Sequence, residues 1–252
     1  MERWSGKTAV VTGASSGCGA AIAEALVNNG MQVVAVARRQ DRLLQLSNKL
    51  KGRSGKLHPF QCDITKESDI LKVFEWVKNN YGAVHVLVNN AGIARPSGLI
   101  NGNSKDWLDV LSTNVLGLSI ATKLAVKDMI NNQVDGQIIH INSVLGHYVA
   151  QVPNLNVYPA SKFAVTALTE TLRQELNAIK SKIRITSVSP GPVDSEFQIA
   201  TYVTSNDEWQ KFFNNLPKLQ SEDVADAVVY VLSTPAHVLV HELTIRPVGE
   251  PV

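Results

Sequence analysis

The sequence predicts an α/β fold, a parallel sheet with helices on both faces. Three observations predict it. Short apolar runs rich in valine and isoleucine alternate with segments of helical period along the chain. A glycine-rich turn joins the first such run to the first helical segment. The 252 residues show no internal repeat, low-complexity tract or linker, so one large domain holds the whole alternation.

The first strand is Thr8-Ala9-Val10-Val11, followed by Thr12-Gly13-Ala14-Ser15-Ser16-Gly17-Cys18-Gly19 and an alanine-rich helix near 17–29. Glycines at such a turn let the backbone approach a pyrophosphate and let helix and strand pack closely. The helix start adds unpaired N–H groups and a partial positive charge, so the pattern reads as a dinucleotide site. The second strand, Gln32 to Val36, runs into Ala37-Arg38-Arg39 before a helix near 40–50. An acidic residue here would bond a ribose 2′-hydroxyl, whereas arginine suits a 2′-phosphate. No carboxylate occurs before Asp41, and Ser16 adds a hydroxyl, so NADP(H) is expected over NAD(H).

The third strand, Leu57 to Gln61, leads through Cys62 to Asp63, which either meets the adenine edge or caps the helix near 67–80. The fourth, Val84 to Val88, closes with Asn89-Asn90-Ala91-Gly92, small residues that leave room for a cofactor and amides that bond strand-end backbone. A long helix near 105–131 carries Asn114 inside it. The fifth strand, Gln137 to Ile141, ends at Asn142-Ser143, on the sheet edge where ligands of open α/β folds bind. The helix near 157–180 opens with Tyr158-Pro159-Ala160-Ser161-Lys162. Positions i and i+4 share a helix face, and an ammonium beside a phenol favours its ionised form. After the sixth strand, Ile183 to Val188, comes Ser189-Pro190-Gly191-Pro192 and a segment at 191–217 that breaks the rhythm. Its aromatics, Phe197, Tyr202, Trp209, Phe212 and Phe213, read either as core packing or as a substrate lid walling an apolar pocket.

Bulk properties exclude other classes. A net charge of +2 gives no electrostatic case for nucleic acid or an anionic membrane. The apolar runs are strand-sized, so no membrane span is expected. The N-terminus has no signal-like apolar core, and Cys18 and Cys62 form neither a disulfide framework nor a metal cluster. A reducing compartment, the cytoplasm, fits. His237 and His241 lie four apart in a strand-like segment, about 13 Å by strand rise, so no metal is expected. His147 reads as a surface or supporting histidine rather than a substrate contact.

The glycine turn, Asn89-Asn90-Ala91-Gly92, Asn114, Ser143, Tyr158, Lys162 and Pro190-Gly191 occur in an order and spacing that resembles the short-chain dehydrogenase/reductase family, from Trp4 to about Pro247. The resemblance implies a single Rossmann-type doubly wound domain, a nicotinamide cofactor and a catalytic tetrad of Asn114, Ser143, Tyr158 and Lys162. It also implies a homodimer or homotetramer through the helices near 105–131 and 157–180. Met1-Glu2-Arg3-Trp4, Thr166 to Glu170, Arg173 to Leu176 and Leu232 to His237 are similar to the subgroup of dehydrogenase/reductase member eleven and the insect farnesol dehydrogenases. That subgroup implies NADP-dependent oxidation of isoprenoid alcohols, or reduction of ketosteroids and small dicarbonyls. Two positions depart from the family pattern. Cys18 replaces a bulky aliphatic residue, and Ser195 replaces threonine while keeping a hydroxyl for the nicotinamide carboxamide, near Val193.

On this reading Tyr158 exchanges the alcohol proton as hydride moves to the nicotinamide. Lys162 lowers the tyrosine pKa and holds the nicotinamide ribose, Ser143 polarises the substrate oxygen, and Asn114 holds a water that extends the proton path. The competing readings are a cofactor-binding sensor or scaffold without turnover, which a filled tetrad argues against, and a Rossmann-like methyltransferase, which Arg38-Arg39 and Tyr158/Lys162 argue against.

Overall fold

The computed structural model describes residues 1–152, 154–197 and 215–250. Among these, seven strands form one parallel sheet: β1 (Thr8–Thr12), β2 (Gln32–Ala37), β3 (Lys56–Gln61), β4 (Val86–Asn89), β5 (Gln137–Ile141), β6 (Arg184–Pro190) and β7 (Glu242–Ile245). Their order is β3-β2-β1-β4-β5-β6-β7. The chain builds outward from β1 through β2 to β3, then returns to add β4 on the other side. The C-terminal ends of β1 and β4 therefore flank the point where strand order reverses, where a crevice opens in such sheets.

Helices cover both faces. They are α1 (Gly17–Asn28), α2 (Gln40–Lys49), α3 (Glu67–Tyr81), α4 (Ser104–Leu111), α5 (Leu118–Asn131), α6 (Tyr158–Ala178) and α7 (Ser221–Ser233). Strand residues alternate between the two layers, as the two-residue side-chain period requires. Ala9, Val11, Val33 and Ala35 pack with Ile22 and Leu26 of α1, Leu43 of α2 and Val228 of α7. Val10, Val34 and Val36 face the other way, onto Val73 of α3, Ala125 and Met129 of α5, and Leu176 of α6. Burial on both faces explains why the central strands read as unbroken apolar runs.

Two elements lie beyond those expected from the sequence. Helix α7 starts at a capping box in which the Gln220 and Asp223 side chains each bond the other's backbone, and β7 is a half-exposed edge strand. The long helix is also not uniform. Between α4 and α5, Ser112–Gly117 forms a π-turn that contains Asn114. The full stretch Ser104–Asn131 is 28 residues and, by length and composition, apolar enough to cross a membrane, contrary to the expectation of strand-sized apolar runs alone. Its apolar side chains Ile120, Ala121, Ala125 and Met129 are buried against the sheet. From the segment at 191–217, Val193 pairs with Leu219 in a short parallel bridge. Tyr202, Trp209, Phe212 and Phe213 lie outside the described residues.

Candidate active site

The turn after β1 is held by side chains from its neighbours. Thr12 Oγ1 accepts from the backbone N–H groups of Asn90 and Ala91, both at 3.0 Å, and thereby ties the ends of β1 and β4 together. The Asn90 amide donates to the Thr12 carbonyl at 2.9 Å and the Gly13 carbonyl at 3.3 Å. This packing tolerates no side chain at Gly19. A Cβ there would lie 2.4 Å from both Asn90 Nδ2 and the Gly13 carbonyl oxygen. Gly17 has φ +52°, the left-handed region that favours glycine. Ser16 is the N-cap of α1, yet its side chain makes no capping bond to the helix. Its hydroxyl instead accepts from Arg39 Nη2 at 2.7 Å. The first-turn amides of α1 are left without a side-chain cap, as an anion site requires.

Arg39 reaches back from the end of β2 to this turn. Its Nε and Nη2 donate to Ser15 Oγ at 3.1 and 3.0 Å, and its Nη1 pairs with Glu196 Oε2 at 2.9 Å. Arg42, in the first turn of α2, donates to the other Glu196 oxygen. Arg38 is exposed and also borders the cleft. Asp63 directs its carboxylate to Thr65, accepting from its N–H at 3.1 Å and from its hydroxyl at 2.8 Å. It is absent from the cleft lining, whereas its neighbours Cys62 and Ile64 are part of it. Asp63 does not cap α3 as expected, since the N-cap there is Lys66 with no side-chain bond; it braces the turn that precedes the helix.

Beyond β5, Ser143 caps a short 3₁₀ turn, Val144–Gly146, and accepts from the Leu145 N–H at 3.1 Å. Tyr158 and Lys162 open α6, and both are 7% exposed. Lys162 Nζ donates to the Ile141 carbonyl at the end of β5, at 2.9 Å, and lies 5.8 Å from the Tyr158 ring centroid. Burial pulls this ammonium down from its ordinary 10.5 to about 8. Asn114 sits behind the cleft, 2% exposed. Its Oδ1 accepts from the Ile93 N–H at 2.8 Å, and its amide donates to the Ile93 carbonyl at 2.9 Å and to Ser161 Oγ at 3.0 Å. Ser161 in turn donates to the Tyr158 carbonyl at 2.6 Å. Both amide protons of Asn114 are thus committed to protein, in a brace that reaches the first turn of α6.

A single cleft of about 850 Å³ gathers these parts. It contains Ser143, Tyr158 and Lys162, together with every residue expected to bind cofactor except Asp63: Gly13, Ser15, Ser16, Gly17, Cys18, Gly19, Arg38, Arg39, Asn90, Ala91, Gly92, Pro190, Gly191, Val193 and Ser195. The fully buried brace of Asn114 and Ser161 stands behind it. One wall is apolar. Ala94, Val144, Leu145 and Leu155 cluster on Tyr158, with Tyr148, Val152 and Phe197 packed against them. The Phe197 and Tyr158 ring centroids are 5.5 Å apart. His147 is not in the lining and bonds Ser189 Oγ at 2.9 Å. Burial pushes both thiols up, Cys62 to about 12, which argues against a reactive Cys18.

Sequence reasoning missed Arg42, Glu196 and Ser161. Ser161 lies inside the Tyr158–Lys162 stretch, where the three-residue spacing from Tyr158 was the available signal. Arg42 and Glu196 are 154 positions apart, and no local pattern links them.

The bare glycine turn, the uncapped start of α1 and the basic group beside Ser15 and Ser16 fit a nicotinamide dinucleotide. A family model for short chain dehydrogenases matches residues 7–206. The farnesol dehydrogenase of Aedes aegypti is 49% identical over 252 residues, 99% of each chain. The human dehydrogenase/reductase SDR family member 11 is 43% identical over 98% of this chain and 96% of its own. A solved structure described as the closed form of serine dehydrogenase complexed with NADP+ aligns with a TM-score of 0.86 at 30% identity, over 97% of this chain and 96% of that one.

Proposed function

The chain belongs to the short-chain dehydrogenase family of oxidoreductases, and on that premise we propose that it interconverts an apolar primary or secondary alcohol and its carbonyl compound with NADP(H). The observation that carries this reading is the apolar wall around Tyr158, a greasy surface beside a buried lysine. The name of the mosquito relative supports a farnesol-like isoprenoid alcohol.

The cofactor, when bound, supplies the hydride acceptor or donor; the residues do the rest. The Tyr158 phenolate takes the alcohol proton in oxidation, and the hydroxyl so formed returns it in reduction. The Lys162 ammonium, held by the Ile141 carbonyl, stabilises the phenolate and would also hold a ribose hydroxyl of the cofactor. Ser143 donates to the substrate oxygen. Asn114 positions the catalytic turn of α6 through Ser161. Arg39 with Ser15 and Ser16 forms the seat of a 2′-phosphate. Val193, Ser195 and Phe197, from the described start of the segment after β6, border the cleft and support a substrate-covering role for it. Exposed Leu108, Leu111, Leu116 and Phe163 on α4, the π-turn and α6 support a homodimer or homotetramer, and the two free thiols support a cytoplasmic setting.

A panel of isoprenoid alcohols, secondary alcohols and ketones, each assayed with NADP and NAD in both directions, tests the reading. Turnover of long-chain alcohols with NADP is expected. Inactivity on every long-chain alcohol refutes the substrate class, and a clear preference for NAD refutes the arginine argument.

A further inference from the structure

The basic group at the end of β2 already holds an anion of this chain's own. Glu196 presents one carboxylate oxygen to Arg39 at 2.9 Å and the other to Arg42. Arg39 meanwhile forks onto the Ser15 and Ser16 hydroxyls, at distances from 2.7 to 3.1 Å. Two guanidiniums on one carboxylate, with two hydroxyls held against Arg39, form a set of groups that also suits a phosphate monoester, which arginine recognises with the same planar fork. Arg39, Ser15, Ser16 and Glu196 all border the cleft. Glu196 arrives from the segment after β6, on the opposite side of the sheet's switch point from the arginines.

We propose that Glu196 is a built-in competitor for the 2′-phosphate seat, and that it sets how strongly this enzyme discriminates NADP from NAD. The proposal rests on the reading that Arg39 recognises a 2′-phosphate. With NAD, the carboxylate keeps both arginines and nothing needs to be displaced. With NADP, the 2′-phosphate carries the larger negative charge and takes the guanidiniums, while Glu196 must leave its two ion pairs and then stand near a like charge. Arg42 thereby becomes a second specificity residue, reading the phosphate alongside Arg39. Glu196 immediately precedes Phe197, whose ring packs on Tyr158. The same short stretch of backbone thus carries the competitor at the adenosine end and the apolar wall at the catalytic tyrosine.

All three side chains of the cluster are between 38% and 50% exposed, so each ion pair is weak and salt-sensitive. Removing the competitor should change affinity by roughly threefold to tenfold, the worth of two exposed ion pairs. The test is isothermal titration of the intact protein with NADP+, NAD+, 2′,5′-ADP and ADP, using wild type, Glu196→Gln, Arg42→Gln, Arg39→Gln and the double variant Glu196→Gln/Arg42→Gln. Expected are a gain of that size for NADP+ and 2′,5′-ADP in Glu196→Gln, less than a twofold change for NAD+ and ADP, and a smaller gain when Arg42 is also absent. An unchanged or weakened NADP+ affinity in Glu196→Gln, in a protein whose wild type still prefers NADP+, overturns the competitor alone. A wild type that prefers NAD+, with Arg39→Gln indifferent to the 2′-phosphate, overturns the underlying reading as well.

Discussion

Replacing Lys162 with methionine should make the cofactor-free protein more stable at neutral pH while abolishing its turnover. The ammonium is 7% exposed, and burial lowers its pKa from 10.5 to about 8. That difference of about 2.5 units corresponds to ~3 kcal/mol, at 1.36 kcal/mol per unit. The unfolded chain holds this proton more tightly than the folded one. Stability therefore rises with pH between about 8 and 10.5, is fully present above that window, and is lost as pH falls through about 8. Methionine has nearly the same length and no charge to desolvate, but it leaves the Ile141 carbonyl without its donor, a loss of about 1 kcal/mol. The variant should then exceed wild type by ~2 kcal/mol at pH 7 and fall below it by about 1 kcal/mol near pH 10.5. Urea unfolding of both proteins at pH 7, 8, 9 and 10 gives a difference curve in which the titrating groups remote from Lys162 cancel, leaving the lysine and its coupled neighbours such as Cys18. A flat difference across that range refutes the argument. It would mean that the buried lysine is not held at an electrostatic cost, and that its charge near Tyr158 must be explained otherwise.

Further perturbations separate the parts of the site. Tyr158→Phe should lower kcat by at least about a thousandfold while leaving the NADP+ dissociation constant within about twofold, as expected for a group acting only on the proton; an active phenylalanine variant sinks the assignment. Gly19→Ala places a Cβ 2.4 Å from the Gly13 carbonyl oxygen, so it should cost ~1–3 kcal/mol in urea and weaken nucleotide binding in titration calorimetry. Asn114→Ala strands the Ile93 backbone groups and Ser161, and a loss of ~2–4 kcal/mol is expected by chemical denaturation, with an accompanying drop in kcat. Cys62, pushed up to about 12, should show no measurable alkylation by iodoacetamide in the native protein at pH 8 over the time in which free thiols react completely.

The central strands were legible because both of their faces are buried, which leaves Val33 to Ala37 and Val86 to Val88 as unbroken apolar runs. The same logic hid β7. As a half-exposed edge strand, Glu242–Ile245 mixes polar and apolar residues, and the strand-like reading fell instead on His237 to His241, which precede the strand. Helix α7 had a readable signal in the Gln220 and Asp223 capping pair followed by apolar positions at helical spacing. The site followed a similar division. Residues anchored to strand ends, such as Ser143, or sharing a helix face, such as Tyr158 and Lys162, were visible from spacing. The three donors and acceptors of Asn114 were not, because they meet groups 21 and 47 positions away. The Arg42–Glu196 contact joins segments that only the strand order brings together.

The π-turn also fixes a phase. Buried Val110, Asn114, Leu118, Ala121, Ala125 and Met129 form one stripe along Ser104–Asn131. From Val110 to Met129 the chain advances 19 residues, whereas five turns of regular α-helix use about 18. The surplus residue is absorbed at Ser112–Gly117. Deleting one residue there would leave about 18, five regular turns, so Val110 and Met129 would still share a face while the π-turn itself would be lost. The change would be local, at Asn114, whose bonds to the Ile93 backbone are made from within the π-turn. The surplus residue therefore serves the Asn114 brace alone, and the helix carries it without disturbing how its two ends pack.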